Sequence, residues 1–217
     1  MAKKKKAKEM PKKAAKKAGF GQKLKSEFTT IAIVMIPIAI AINQVGRLIH
    51  EALALPVYLD TIGTLFTAML CGPWVAGIGG FLTNVVTAIA YGRATSVFFG
   101  TVQLGIGLLT GFVVYKGWLK KWWQVPIMGT ANALVAALIS APIVGIVSGG
   151  VSGQGQDVVF AFFLAAGERF WNALFASRFL VELLDKAVIS IFIPWMAVKR
   201  LPDRYAKLFK YAHKVRK

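Results

Sequence analysis

Asp60, Glu182 and Asp185 are carboxylates set in apolar surroundings, and Asn43, Asn84 and Gln103 are carboxamides in equally apolar company. Two acids at one site can divide the work of general acid and general base, so Asp60 and Asp185 define one available chemistry, that of an intramembrane enzyme. The other chemistry is recognition: preorganised polar groups in an apolar frame hold a small hydrophilic molecule and fix its orientation. Arg93, Glu168, Arg169 and Asn172 add charged and amide groups in stretches expected to be external connections. Glu182 and Lys186 are four apart, the spacing of an ion pair within one helix. Asp185 has no such neighbour upstream, which makes it the stronger candidate for solute contact. Asp60, in LDTIGT, also suits the N-cap of the helix that follows. Other reaction types lack their residues. There is no HExxH, GxSxG or Walker lysine loop, and His50 and His213 are too far apart in sequence and topology to form a metal pair. The one cysteine, Cys71, permits no internal disulfide. Neither a metal nor a cofactor is expected, and recognition without catalysis is the favoured reading.

The elements that must position these groups are membrane helices. The chain has 217 residues, of which 56% are hydrophobic, yet it carries a formal charge of +18. A soluble domain with a solvated surface does not combine the two. The charge sits at the ends: residues 1–27 hold eleven lysines against Glu9 and Glu27, and residues 199–217 hold eight Lys or Arg against Asp203. Basic groups that flank apolar segments, with no basic face of their own, argue against nucleic acid and for tails beside anionic lipid. Residues 1–27 are therefore expected to be a basic cytoplasmic arm and 201–217 a basic cytoplasmic tail. The span between, residues 28–200, is expected to be an all-α membrane domain.

Apolar stretches occur at 29–49, 57–72, 74–91, 97–115, 124–148, 158–177 and 179–198. Seven crossings would put the two basic tails on opposite sides of the bilayer, against the positive-inside rule. The stretch at 158–177 carries Glu168, Arg169 and Asn172 in its middle, where one charge at the bilayer centre costs about 2.5 to 3.5 kcal/mol. It is read as part of an external or re-entrant segment over 149–178, which leaves six transmembrane helices with both termini cytoplasmic. In that topology KGWLKKWWQ at 116–124 is internal, with Trp118, Trp122 and Trp123 as an interfacial belt. The stretch 57–72 is short for the roughly 30 Å hydrocarbon core, so Asp60 is expected below the outer surface, facing protein. Asn43, Asn84, Gln103, Glu182 and Asp185 fall at the same outer level. SGGVSGQGQD at 148–157 reads as a flexible loop, and Gly107 and Gly111 in GIGLLTG read as sites of close helix packing.

Three stretches carry a family resemblance: INQVGRLIHEALALPVYLDTIGTLFTAMLCGPWVAGIGGFLTNVVTAI at 42–89, SGGVSGQGQD at 148–157 and LLDKAVISIFIPWMAVKRLP at 183–202. Together they resemble the substrate-binding S components of energy-coupling factor (ECF) transporters, and the similarity covers nearly everything after residue 28. The resemblance implies a six-helix bundle in a bacterial plasma membrane that captures a vitamin or similar micronutrient at the outer face. It implies as partners a transmembrane coupling (T) subunit and two cytoplasmic ATPase (A) subunits, and a site framed by the loops after helices one, three and five. Many members carry an Ala-x-x-x-Ala docking face on helix one; here that spacing is absent, and Ala32, Ala39 and Gly46 are the small residues that would serve. A membrane sensor or assembly module with the same fold is the alternative.

Overall fold

The structure, a computed structural model, describes residues 25–55, 57–153 and 155–216; most of the basic arm expected at 1–27 lies outside them. Every regular element among the described residues is helical. Four helices are long and apolar enough to cross a membrane: α1 (Thr30–Leu53), α3 (Pro73–Tyr91), α4 (Ser96–Tyr115) and α5 (Gln124–Val147). Between the first two lies a ten-residue helix, α2 (Ile62–Cys71). After α5 come α6 (Gln156–Ala165) and α7 (Phe170–Leu183), a π-helical turn over Leu184–Ser190, and α8 (Phe192–Arg200). Two short helices, α9 (Asp203–Ala206) and α10 (Ala212–Arg216), complete the chain. The chain is thus a multi-pass membrane protein, with large apolar side chains such as Ile33, Val34, Leu134, Leu138 and Ile146 turned outward.

Local chemistry sets the helix ends. The Thr29 side chain accepts from the Ala32 amide at 3.3 Å and opens α1. Gly72 takes φ 106°, a conformation glycine adopts without strain, and Pro73 begins α3. Glycines then set the spacing of the helices. A Cβ on Gly107 would lie 2.7 Å from the Gly77 nitrogen, and one on Gly111 would lie 2.3 Å from Pro73 Cα, so α3 and α4 touch backbone to backbone as GIGLLTG leads one to expect.

Two expectations need correction. The stretch 149–178 is not one segment: the turn falls at residues 166–169 and α7 begins at Phe170, so Phe170 to Arg200 is helical except at Ile191. Glu168 and Arg169 occupy that turn and are exposed, and the apolar stretch 158–177 is divided between two helices. Helix α2 also starts later than hydropathy indicates. Ten residues rise only about 15 Å, half the hydrocarbon core, and residues 57–61 are irregular.

The carboxyl-terminal tail folds back onto the membrane domain. The Tyr211 amide donates to the Leu70 carbonyl at 3.1 Å, and the Tyr211 hydroxyl and the Trp74 amide both donate to the Glu27 carboxylate at 3.1 Å. The chain just before α1, the Gly72 to Trp74 turn and the tail therefore meet at one end. Burial raises the Glu27 carboxyl above its ordinary value of 4.5, against the lowering effects of these two donors and of Lys210. A carboxyl raised on folding favours its neutral form in the folded chain, so its contribution to stability falls as pH rises from about the ordinary value through the raised one. Glu27→Gln is expected to flatten the slope of the thermal midpoint against pH in that window, measured in detergent by tryptophan fluorescence.

Candidate functional site

The irregular residues before α2 are held by side chains from distant parts of the chain. The Leu59 amide donates to Asp185 Oδ1 at 3.2 Å, and Gln103 Nε2 donates to the Asp60 carbonyl at 3.0 Å. Leu59 takes φ 55°, a left-handed conformation rare for a residue of its kind. Non-helical backbone within a membrane domain is tolerated where protein satisfies it or where it lines a cavity; these residues have protein partners and line one. The first amides of α2 are capped from α1: Asn43 Oδ1 accepts from Gly63 N at 2.7 Å and from Thr64 N at 3.4 Å. Asn43 Nδ2 donates to Thr64 and Thr83 at 2.9 and 3.0 Å, tying α1, α2 and α3 together. No side chain caps α2 from its own N-cap, so Asp60 is free of the capping role its position suits.

Asp60 instead faces a cavity of about 540 Å³ at the end of α3 opposite Glu27. Three connections contribute to its wall: Tyr58 to Thr61 after α1, Gly92 to Thr95 after α3, and Ser148 to Gly153 after α5. The Asp60 carboxylate lies 3.7 Å from Arg47 on α1 and 3.8 Å from Lys186 on the π turn. Lys186, almost fully buried, also pairs with Glu182 at 3.3 Å and with Asp185. At the rim, Arg93 is paired with Glu51 at 2.7 Å. Phe99, Val102 and Ile106 from α4 give the cavity an apolar side.

Of the expected site residues, Asp60, Asn84, Gln103, Arg93 and Glu182 line this cavity. Asn84 is 2% exposed, and its amide makes no hydrogen bond among the described residues. Gln103 is already used at both ends, since its Oε1 accepts from Thr64 at 2.9 Å. The other expected residues do not line the cavity. Asp185 has no exposed surface and sits behind the wall, where it accepts from Leu59 N and from Ser190 Oγ at 2.7 Å and pairs with Lys186. It supports the wall from behind and does not line the cavity. Asn43 is likewise enclosed, with scaffolding as its task. Glu168, Arg169 and Asn172 are exposed outside the cavity, because the turn at 166–169 carries them away from it.

The small residues of α1 are not a free docking face either. Ala32 and Ala39 are 3% and 1% exposed, and a Cβ on Gly46 would lie 2.0 Å from the Leu59 carbonyl oxygen. Ala39 and Gly46 seat α2 and the irregular segment against α1, where a Cβ on Gly63 would lie 2.2 Å from the Ala39 carbonyl oxygen. SGGVSGQGQD is more ordered than a flexible loop: Asp157 accepts from Ser152 N, Ser152 Oγ and Gly153 N at 2.6 to 3.1 Å. The Ser152 and Gly153 amides are thereby spent on the chain's own carboxylate.

Arg47, Tyr58, Thr61, Ser140, Arg178 and Lys186 also line the cavity and were not expected there. The sequence does hold a signal for some of them. Arg178, Glu182 and Lys186 recur every four residues, as do Asn43 and Arg47, and ionisable groups at helical spacing within apolar helices face protein or water. The chain matches no protein-family model, no curated protein and no solved structure.

Proposed function

We propose that the chain is the solute-binding membrane subunit of an importer of the ECF kind. In this reading it crosses a bacterial plasma membrane six times, through α1, α2, α3, α4, α5 and the α7 to α8 unit, with both termini cytoplasmic. Lysines 116, 120 and 121 then lie inside with Trp118, Trp122 and Trp123, and the cavity opens outward. The observation that carries the reading is the cavity itself: charged and amide groups converge on a space of metabolite size inside helices whose outer surfaces are apolar. Its position after α1, α3 and α5 is where the family resemblance leads one to expect a site. The solute is a vitamin-like micronutrient, and uptake is driven by a coupling subunit and two ATPases, so the chain itself performs no catalysis.

Asp60 belongs to the wall and to the ion-pair cluster, so its removal disturbs both. Asp60→Ala is expected to lower solute affinity at least about tenfold, or about 1.4 kcal/mol, read as the amount of solute extracted from equal masses of folded protein. Unchanged recovery would remove Asp60 from the site. A chain that retains solute but never copurifies with a coupling subunit and ATPases would favour a membrane sensor of the same architecture.

A further inference from the structure

Arg178 differs from every other cation at the cavity. It is 3% exposed and lines the cavity, yet no carboxylate among the described residues lies within ion-pair distance, and its Nη2 is buried without a hydrogen-bond partner. The neighbouring acids are engaged elsewhere. Glu182, four residues along the same helix, pairs with Lys186, and Asp60 is divided between Arg47 and Lys186. Asp185 is held by Lys186, Ser190 and Leu59 N, and Asp157 is occupied by Ser152 and Gly153. Arg93 has its own partner in Glu51. Other groups on the same wall are buried without a hydrogen-bond partner, among them Arg47 Nε and the hydroxyls of Tyr58, Thr61 and Ser140. A buried guanidinium without a counterion is costly, and so is each orphaned hydroxyl; a site of this kind is complete only when something else supplies acceptors.

We propose that Arg178 is the reader of a carboxylate on the solute, so that the cavity takes a small carboxylic acid with an apolar or aromatic body. The proposal rests on the solute-binding reading above and deepens it. The guanidinium fork matches a carboxylate with two parallel hydrogen bonds. Arg47, Lys186 and Arg178 already equal Asp60, Glu182 and Asp185 in number, so what Arg178 lacks is a hydrogen-bonded acceptor, and a carboxylate supplies one while adding less charge than a phosphate dianion. Ser140 and Thr61 offer hydroxyls to the same ligand, and Phe99, Val102 and Ile106 provide the surface for its apolar part.

The test uses the full chain in detergent and four probes of similar shape: benzoate, benzamide, benzylamine and phenyl phosphate. Binding is read by ligand-observed saturation-transfer NMR against empty micelles. Benzoate is expected to bind about tenfold better than each of the others, and Arg178→Gln is expected to abolish that preference. Arg178→Lys, which keeps the charge and loses the fork, is expected to fold and to retain a reduced preference for benzoate over benzamide. Stronger binding of benzylamine, benzamide or phenyl phosphate overturns the carboxylate assignment and leaves the solute-binding reading standing, as does benzoate binding to Arg178→Gln at the wild-type level. Failure of all four probes to bind wild-type protein overturns both.

Discussion

Lys186→Met is expected to cost about 3 to 5 kcal/mol of stability, the largest loss from any single side chain at the cavity. Lys186 is 2% exposed and stands among Asp60, Glu182 and Asp185. Methionine has nearly the same length and is apolar, so the packing is kept and the charge alone is lost. Three carboxylates then share the single remaining cation of the cluster, Arg47, in surroundings that solvate charge poorly. Adding Asp185→Asn should recover part of the loss, because it removes the most deeply enclosed of the three acids. Denaturant unfolding in detergent, followed by tryptophan fluorescence, gives both values. A midpoint unchanged in Lys186→Met would show that the cluster does not depend on its lysine.

The second large effect concerns spacing and not charge. At Gly111 an added Cβ would stand 2.3 Å from Pro73 Cα and 2.5 Å from Pro73 N, both backbone atoms at the rigid start of α3. Helix propensity alone favours alanine over glycine by about 1 kcal/mol. Gly111→Ala is nevertheless expected to destabilise the chain by about 1 to 3 kcal/mol, because α3 and α4 must separate to admit the methyl group. Gly105 lies on the same helix, and a Cβ there meets only Ile139 Cδ1 and Val135 Cγ1 at 3.1 Å, the mobile ends of side chains. Gly105→Ala should therefore be neutral or mildly stabilising under the same unfolding assay. The two helices carry Asn84 and Gln103 into the cavity, so Gly111→Ala is expected to weaken solute binding as well, though it touches no solute.

The long helices were legible in the sequence because hydropathy reports burial in lipid directly. The stretches at 74–91, 97–115 and 124–148 coincide with α3, α4 and α5 to within a residue or so. Hydropathy does not distinguish a helix from an irregular strand of chain at the same depth. Residues 57–61 are as apolar as a helix requires, but their backbone groups are satisfied by Asp185 and Gln103, 126 and 43 residues away. No local signal announces such partners, and Leu59 takes its left-handed conformation without the glycine that would mark it. Polar residues at one depth were likewise visible, whereas their division into wall and scaffold was not. Asn43 and Asp185 have the composition of ligand contacts and the hydrogen bonds of structural supports. The break at 166–169 follows the same logic: two charged residues interrupt an apolar run, and the chain responds by turning there, not by keeping the whole run outside a helix that begins at 179.

The measurement closest to the central claim is native mass spectrometry of the full chain beside Ser140→Trp, which fills the cavity from the α5 side. Wild type is expected to carry one small molecule per chain, released on activation in the gas phase, and the folded variant to carry none. Identical spectra from the two proteins, with the same bound species or with none in either, would contradict a solute held among Asp60, Asn84 and Arg178.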